Sequence, residues 1–162
     1  MATDPPGDLL LSPLKGEPRT VAQWVTTFHL AVVAVDPFTY ESAWLLEEAG
    51  RLLTTFTAAD VRVGWLVTGT AAEARQFLGP WADDLLTFAD PDREAVKALG
   101  LQSLPAWVHI DMLGHVAEAV EGWQPVEWRP ALHALASILS WIAPVVPGPK
   151  APGPFPGSPA LV

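Results

Sequence analysis

Residues 31–46, AVVAVDPFTYESAWLL, constrain the fold most strongly: a run of β-branched and small apolar residues stops at Asp36-Pro37 and turns into a helical pattern within five residues. A strand with no polar alternation has to be covered on both faces, which places it inside an α/β sheet. Where such a strand hands the chain to a helix, free N–H groups and the helix dipole lower the pKa of a nucleophile. Ser42 holds that position here. As a nucleophile it needs a base and an orienting group, and the sequence names neither; its structural alternative is the helix N-cap, a place Ser suits well.

With 162 residues and 50% apolar composition, one domain with a full-sized core is expected. A formal charge of −9, from 18 acidic and 9 basic residues, opposes a nucleic-acid or anionic-membrane surface and leaves neutral, apolar or basic partners. The chain has no cysteine, so disulfides, thiolate metal sites and thiol chemistry are excluded. The N-terminus lacks the basic and apolar segments of a signal peptide, which makes the cytoplasm the expected compartment. The apolar segment 131–146 contains His133 and is broken by Pro144, so it reads as a buried helix, not a membrane span.

Residues 1–19 are punctuated by Pro and Gly around Leu9-Leu10-Leu11 and read as an arm or edge strand laid on a domain covering 20–143. The patterning then predicts a short helix over 20–27, a strand over 29–35, a helix from Ser42, a strand over 61–67 and a helix over 71–78 ended by Gly79-Pro80. A strand over 85–89, a helix over 93–99 capped by Asp92, a hairpin of 106–111 and 115–121 turning at Gly114, and a helix from Pro125 follow. Residues 144–162 hold 7 Pro and 3 Gly, with Lys150 as the only charged side chain. That composition reads as a mobile tail, or as a peptide ligand anchored by Phe155, Leu161 and Val162.

Two further constellations carry alternatives. His109, Asp111 and His115 lie at one end of the predicted hairpin and form a 2-His-1-carboxylate set on paper; the plainer reading is polar residues at a wet turn, and no metal or cofactor is assigned. His29 and His133 sit in apolar elements as hydrogen-bonded packing residues. Most of the 8 tryptophans belong to core or rim packing.

The order of these elements resembles the thioredoxin and peroxiredoxin superfamily over residues 30–142. Counting six from Asp36, as from the Asp of thioredoxin-like members to their first Cys, lands on Ser42, and Thr39-Tyr40-Glu41-Ser42 resembles the peroxiredoxin T-x-x-C with Ser for Cys. Phe88-Ala89-Asp90-Pro91-Asp92 resembles the family's strand and turn, Leu104-Pro105 falls at its cis-proline, and Gly122 at the glycine closing the substrate groove. The resemblance implies an α/β fold with a mixed central sheet of about five strands and helices on both faces. It also implies a groove that pairs with an extended peptide, formed by Thr39, Ser42, Trp44, Leu104, Pro105, Gly122 and Trp123, with Trp44 and Trp123 as exposed walls, or else as indoles packed on the N-terminal arm. Since a hydroxyl cannot exchange disulfides, the expected function is a redox-inactive module that binds another polypeptide, as an assembly chaperone or a subunit of a larger complex. Residues 33–37, 105–108 and 122–128 also resemble the cysteine-free chaperones of hydrogenase maturation. The competing expectation is an enzyme with non-thiol chemistry at Ser42, a hydrolase or a diverged peroxiredoxin.

Overall fold

The structure is a computed structural model describing residues 2–161, so Val162, one of the expected tail anchors, lies outside the described residues. Its centre is β3 (His29–Val35), buried along its length except at His29, which borders parallel β4 (Val61–Val67) on one side and antiparallel β7 (Ala106–Ile110) on the other. Beyond β4 lies parallel β5 (Leu86–Ala89), and beyond β7 antiparallel β8 (Val116–Glu121). These are the five strands expected. The arm adds two more, β1 (Leu10–Pro13) against β5 and β2 (Arg19–Thr20) against β1, which gives the order β2-β1-β5-β4-β3-β7-β8.

The period of two in β3 divides the core. Ala31, Val33 and Val35 face one apolar layer, formed with α2 (Tyr40–Thr54) and α6 (Pro125–Ile138); Leu30, Val32 and Ala34 face the other, formed with α1 (Val21–Trp24) and α5 (Glu94–Ala98). Each fully buried Val or Leu contributes roughly 1.5–3 kcal/mol of transfer free energy, so a polar residue anywhere in this run is excluded. α1 is shorter than the expected 20–27 helix, because Thr20 and Gln23 close a capping box and Thr26 to Phe28 turn the chain into β3. α3 (Ala71–Leu78) starts on a second capping box between Thr70 and Glu73 and ends at Gly79. α4 (Trp81–Asp84), one turn after Pro80, escapes periodicity because four residues carry no period.

Two caps differ from expectation. The N-cap of α2 is Thr39 and Ser42 lies inside the helix, since the chain enters helical geometry at Tyr40, directly after the turn that bonds Thr39 N to Asp36 O. α5 is capped from Asp90, not Asp92: the buried Asp90 carboxylate accepts the N–H groups of Ala95 and Val96 at 3.1 Å each, which a side chain two residues closer does not do. Burial raises the Asp90 pKa, against those N–H bonds, which lower it.

Of the two readings of the tail, the structure has residues 144–161 laid along the domain, in contact with it through Phe155. They supply too little apolar surface to fold alone, but the domain offers them fixed polar partners. Arg51 donates to Val145 O and Arg129 to Val146 O, both at 2.6 Å, and the buried Glu48 carboxylate accepts Gly148 N–H at 2.6 Å. β9 (Ser158–Pro159) then pairs antiparallel with β6 (Ser103–Leu104). Among the described residues no helix is long and apolar enough to cross a membrane.

Candidate functional site

At the C-terminal end of β3 the chain must leave the sheet, and Asp36 organises how. Its carboxylate accepts Phe38 N–H at 2.9 Å and pairs with Arg93 at 3.0 Å, and its carbonyl accepts Thr39 N–H. Its own N–H donates to Ser42 Oγ at 2.9 Å. Ser42 is therefore a buried brace for the β3–α2 junction. No histidine or carboxylate among the described residues bonds its hydroxyl, and the residue is fully buried.

Of the other expected groove residues, Leu104, Pro105, Gly122 and Trp123 lie together, while Thr39 bonds back to Asp36 O at the start of α2. The Leu104–Pro105 peptide is cis, Pro105 O accepts Gly122 N–H at 2.8 Å, and Gly122 O accepts the indole N–H of Trp128 at 2.8 Å. This brings β6 and the end of β8 side by side, with their outer backbone edges free to pair. Those edges are taken by the chain's own tail. Trp123 and Phe155 exchange backbone hydrogen bonds of 2.8 and 3.0 Å, Leu104 stands opposite Ser158, and Ala160 donates to Gln102 O at 2.9 Å while Arg93 donates to Ala160 O.

The two tryptophans expected as walls separate. Trp123 is completely buried, edge-on to Trp128 at 5.1 Å, with its indole N–H on Pro152 O at 2.9 Å. It is a core residue roofed by the tail, because the tail returns over the position that the resemblance left open. Trp44 is 56% exposed and meets Phe155 edge-on at 5.6 Å. Both indoles thus meet the C-terminal tail, not the N-terminal arm. Of the expected tail anchors, Phe155 is seated and half-buried while Leu161 is exposed. Sequence reasoning missed Phe38 and Tyr40, 65% and 80% exposed, which flank the start of α2 a few residues before Trp44. Three aromatics within seven residues at a strand–helix junction were the available signal.

His109, Asp111 and His115 do not come together. Asp111 accepts the N–H groups of Leu113 and His115, His115 faces Asp4 at 3.0 Å, and no group of three metal-ligating side chains occurs among the described residues. His109 is buried against His29, with Nε2 2.9 Å from His29 Nδ1 and its own Nδ1 unpartnered. A neutral ring with the proton on Nε2 leaves no buried N–H without an acceptor. Burial, then the neighbouring His29, pulls the His109 pKa from 6.5 down to about 4. The folded state thus refuses a proton that the unfolded chain accepts, so stability falls as pH drops below about 6.5 and keeps falling to about 4. Urea unfolding at pH 7 and pH 5 is expected to show about 2 kcal/mol lost through His109, and His109→Leu to remove that share of the difference. An unchanged pH dependence in the variant would show that His109 takes its proton without cost.

No family model matches the sequence, and no curated protein does. Solved structures do. The pneumococcal exposed lipoprotein thioredoxin of Streptococcus pneumoniae superposes with a TM-score of 0.63 at 16% identity over 80% of this chain and 98% of its own. A peroxiredoxin Q of Xanthomonas campestris, itself a Cys-to-Ser mutant, gives 0.62 at 16% identity over 83% and 91%. A hypothetical protein from Sinorhizobium meliloti gives 0.69 at 12% identity over 99% and 93%. The chain has a thioredoxin-like fold. In this thioredoxin-like frame Ser42 stands buried at the start of α2, and the tail lies in the groove beside Pro105. At these identities the likeness concerns the fold, and the neighbours' activities remain theirs.

Proposed function

We propose that this thioredoxin-like protein is a redox-inactive binding module that holds an extended stretch of another polypeptide, as an accessory chaperone or complex subunit. The observation that carries the reading is the edge formed by Leu104 and Trp123, which already pairs backbone-to-backbone with an extended segment, the chain's own. Such β-augmentation takes affinity from main-chain bonds and selectivity from side-chain contacts. The exposed Phe38, Tyr40 and Trp44 supply an aromatic rim of the kind enriched at protein interfaces. An enzymatic role at Ser42 is disfavoured by its burial and by a hydroxyl committed to Asp36 N–H. The resemblance of residues 33–37, 105–108 and 122–128 to hydrogenase-maturation chaperones supports a client of that kind.

The test is selection of peptides from a random library on the immobilised full chain, with 15N chemical shifts locating where they bind. Shifts at residues 38–44, 103–104 and 122–123 are expected, and Trp44→Ala is expected to weaken the selected peptides by ~1–2 kcal/mol with little change in stability, since its ring is more than half exposed. Enrichment of no peptide, or shifts elsewhere, would sink the reading. The same preparation is expected neither to reduce insulin disulfides nor to turn over peroxide, because it has no thiol. Turnover that survives removal of contaminants would contradict this.

A further inference from the structure

The tail seated in the groove shows what the groove accepts. Residues 151–161 carry no charged side chain, and Pro152, Pro154, Pro156 and Pro159 interrupt their donor series. The backbone N–H groups that still reach the groove are those of Phe155, on Trp123 O, and Ala160, on Gln102 O, while the Phe155 and Ala160 carbonyls accept from Trp123 N–H and Arg93 and Pro152 O accepts the Trp123 indole N–H. Between them Gly157 lies at φ +86, over the floor made by Leu104 and Gly122. A Cβ at Gly157 would stand 2.7 Å from Leu104 O, and one at Gly122, itself at φ +72, would stand 2.5 Å from Pro156 O. Two backbones approach this closely because neither carries a side chain at the crossing, so the fit is reciprocal. On either side of the crossing, Phe155 fills the space against Trp44 and Ala160 is fully buried.

The anchoring falls into two separate sets. Residues 145–148 are fixed by Arg51, Arg129 and Glu48 to the body of the domain. Residues 155–160 lie beyond those anchors, and Pro156 and Pro159 in that stretch are exposed. The residues that hold this second set, Trp123, Leu104, Gln102 and Arg93, are not those that hold the first, so its loss would leave the bonds at 145–148 in place.

We propose that the groove is a receptor for uncharged extended segments of the pattern aromatic-Pro-Gly-small-Pro, that residues 155–160 are its resident ligand, and that a partner polypeptide bearing the same pattern displaces them. The proposal rests on the groove's being a polypeptide-binding site, and adds the class of ligand and the competition. A tethered ligand acts at an effective concentration of about millimolar, so an outside segment binds weakly until the resident one is released.

The probe is a fluorescein-labelled peptide of residues 152–161, blocked at both ends, read by anisotropy against the full chain. Gly157→Val in the protein expels the resident segment by the clash with Leu104 O, and is expected to tighten probe binding at least about thirtyfold over the wild type. Unlabelled peptide with Phe155→Ala is expected to compete at least about tenfold more weakly than the parent, and peptide with Gly157→Val not to compete. Independently of whether that protein variant folds, millimolar peptide added to the wild-type chain is expected to speed hydrogen exchange at Phe155 and Ala160. A folded variant that binds the probe no more tightly than wild type, or tail exchange unmoved by peptide, overturns the proposal. It does so even if library-selected peptides still bind the aromatic rim, which separates this failure from failure of the groove reading, where neither binds. A concentration-dependent dimer formed by tail exchange between two copies would overturn the assignment to an outside partner.

Discussion

Trp123→Ala is expected to destabilise the protein by about 3–5 kcal/mol and lower its melting temperature by on the order of 10 °C. The ring is fully buried, contacts Trp128 edge-on at 5.1 Å and donates to Pro152 O at 2.9 Å. Truncation removes the apolar volume, leaves a cavity beneath the tail and strips one of the bonds that fix the tail's approach to β6. Trp123→Phe is expected to cost less, about 1–2 kcal/mol, since most of the packing survives and mainly the indole bond is lost. Chemical denaturation of both variants checks the ranking. A Trp123→Ala protein within 1 kcal/mol of wild type would mean that the tail does not roof this position in solution.

The framework of the fold was legible in the sequence because its signals are local. The unbroken apolar run of β3, the stop of α3 at Gly79 and the hairpin turn at Gly114 each state their structure within a few residues. What escaped was decided by partners distant in the chain. Ser42 has the chemistry of an N-cap, but the cap moved to Thr39 once Asp36 turned the chain through bonds to Phe38 and Thr39. Asp92 adjoins the predicted helix, but it is Asp90, directly after the strand end at Ala89, whose carboxylate reaches the N–H groups of α5. The tail's seat on its own domain was not legible. A Pro-rich composition says that a segment cannot fold by itself, and says nothing of a domain that supplies Glu48, Arg51 and Arg129 as anchors about 100, 94 and 17 residues away in sequence.

Asp36→Ala is expected to cost about 3–5 kcal/mol, because it leaves the Arg93 guanidinium, only 18% exposed, without its counter-charge. The same carboxylate holds Phe38 N–H, and the same guanidinium holds Ala160 O, so one substitution loosens the β3–α2 turn, the start of α5 and the end of the tail together. Arg93 sits at φ 57, a left-handed conformation that costs a non-glycine residue roughly 1–2 kcal/mol, and its pairing with Asp36 and Ala160 is what offsets that cost. Removing both charged groups is a different matter from removing one. Asp36→Ala combined with Arg93→Met is expected to be no less stable than Asp36→Ala alone, so a double-mutant cycle reads a coupling of at least ~2 kcal/mol. Hydrogen exchange at Ala160 is expected to quicken in Asp36→Ala while exchange at Gly148, held by Glu48, stays slow. Strictly additive losses, or uniform quickening along the tail, would show that Asp36 and Arg93 stabilise separate parts of the molecule and that the groove's resident segment is not held through them.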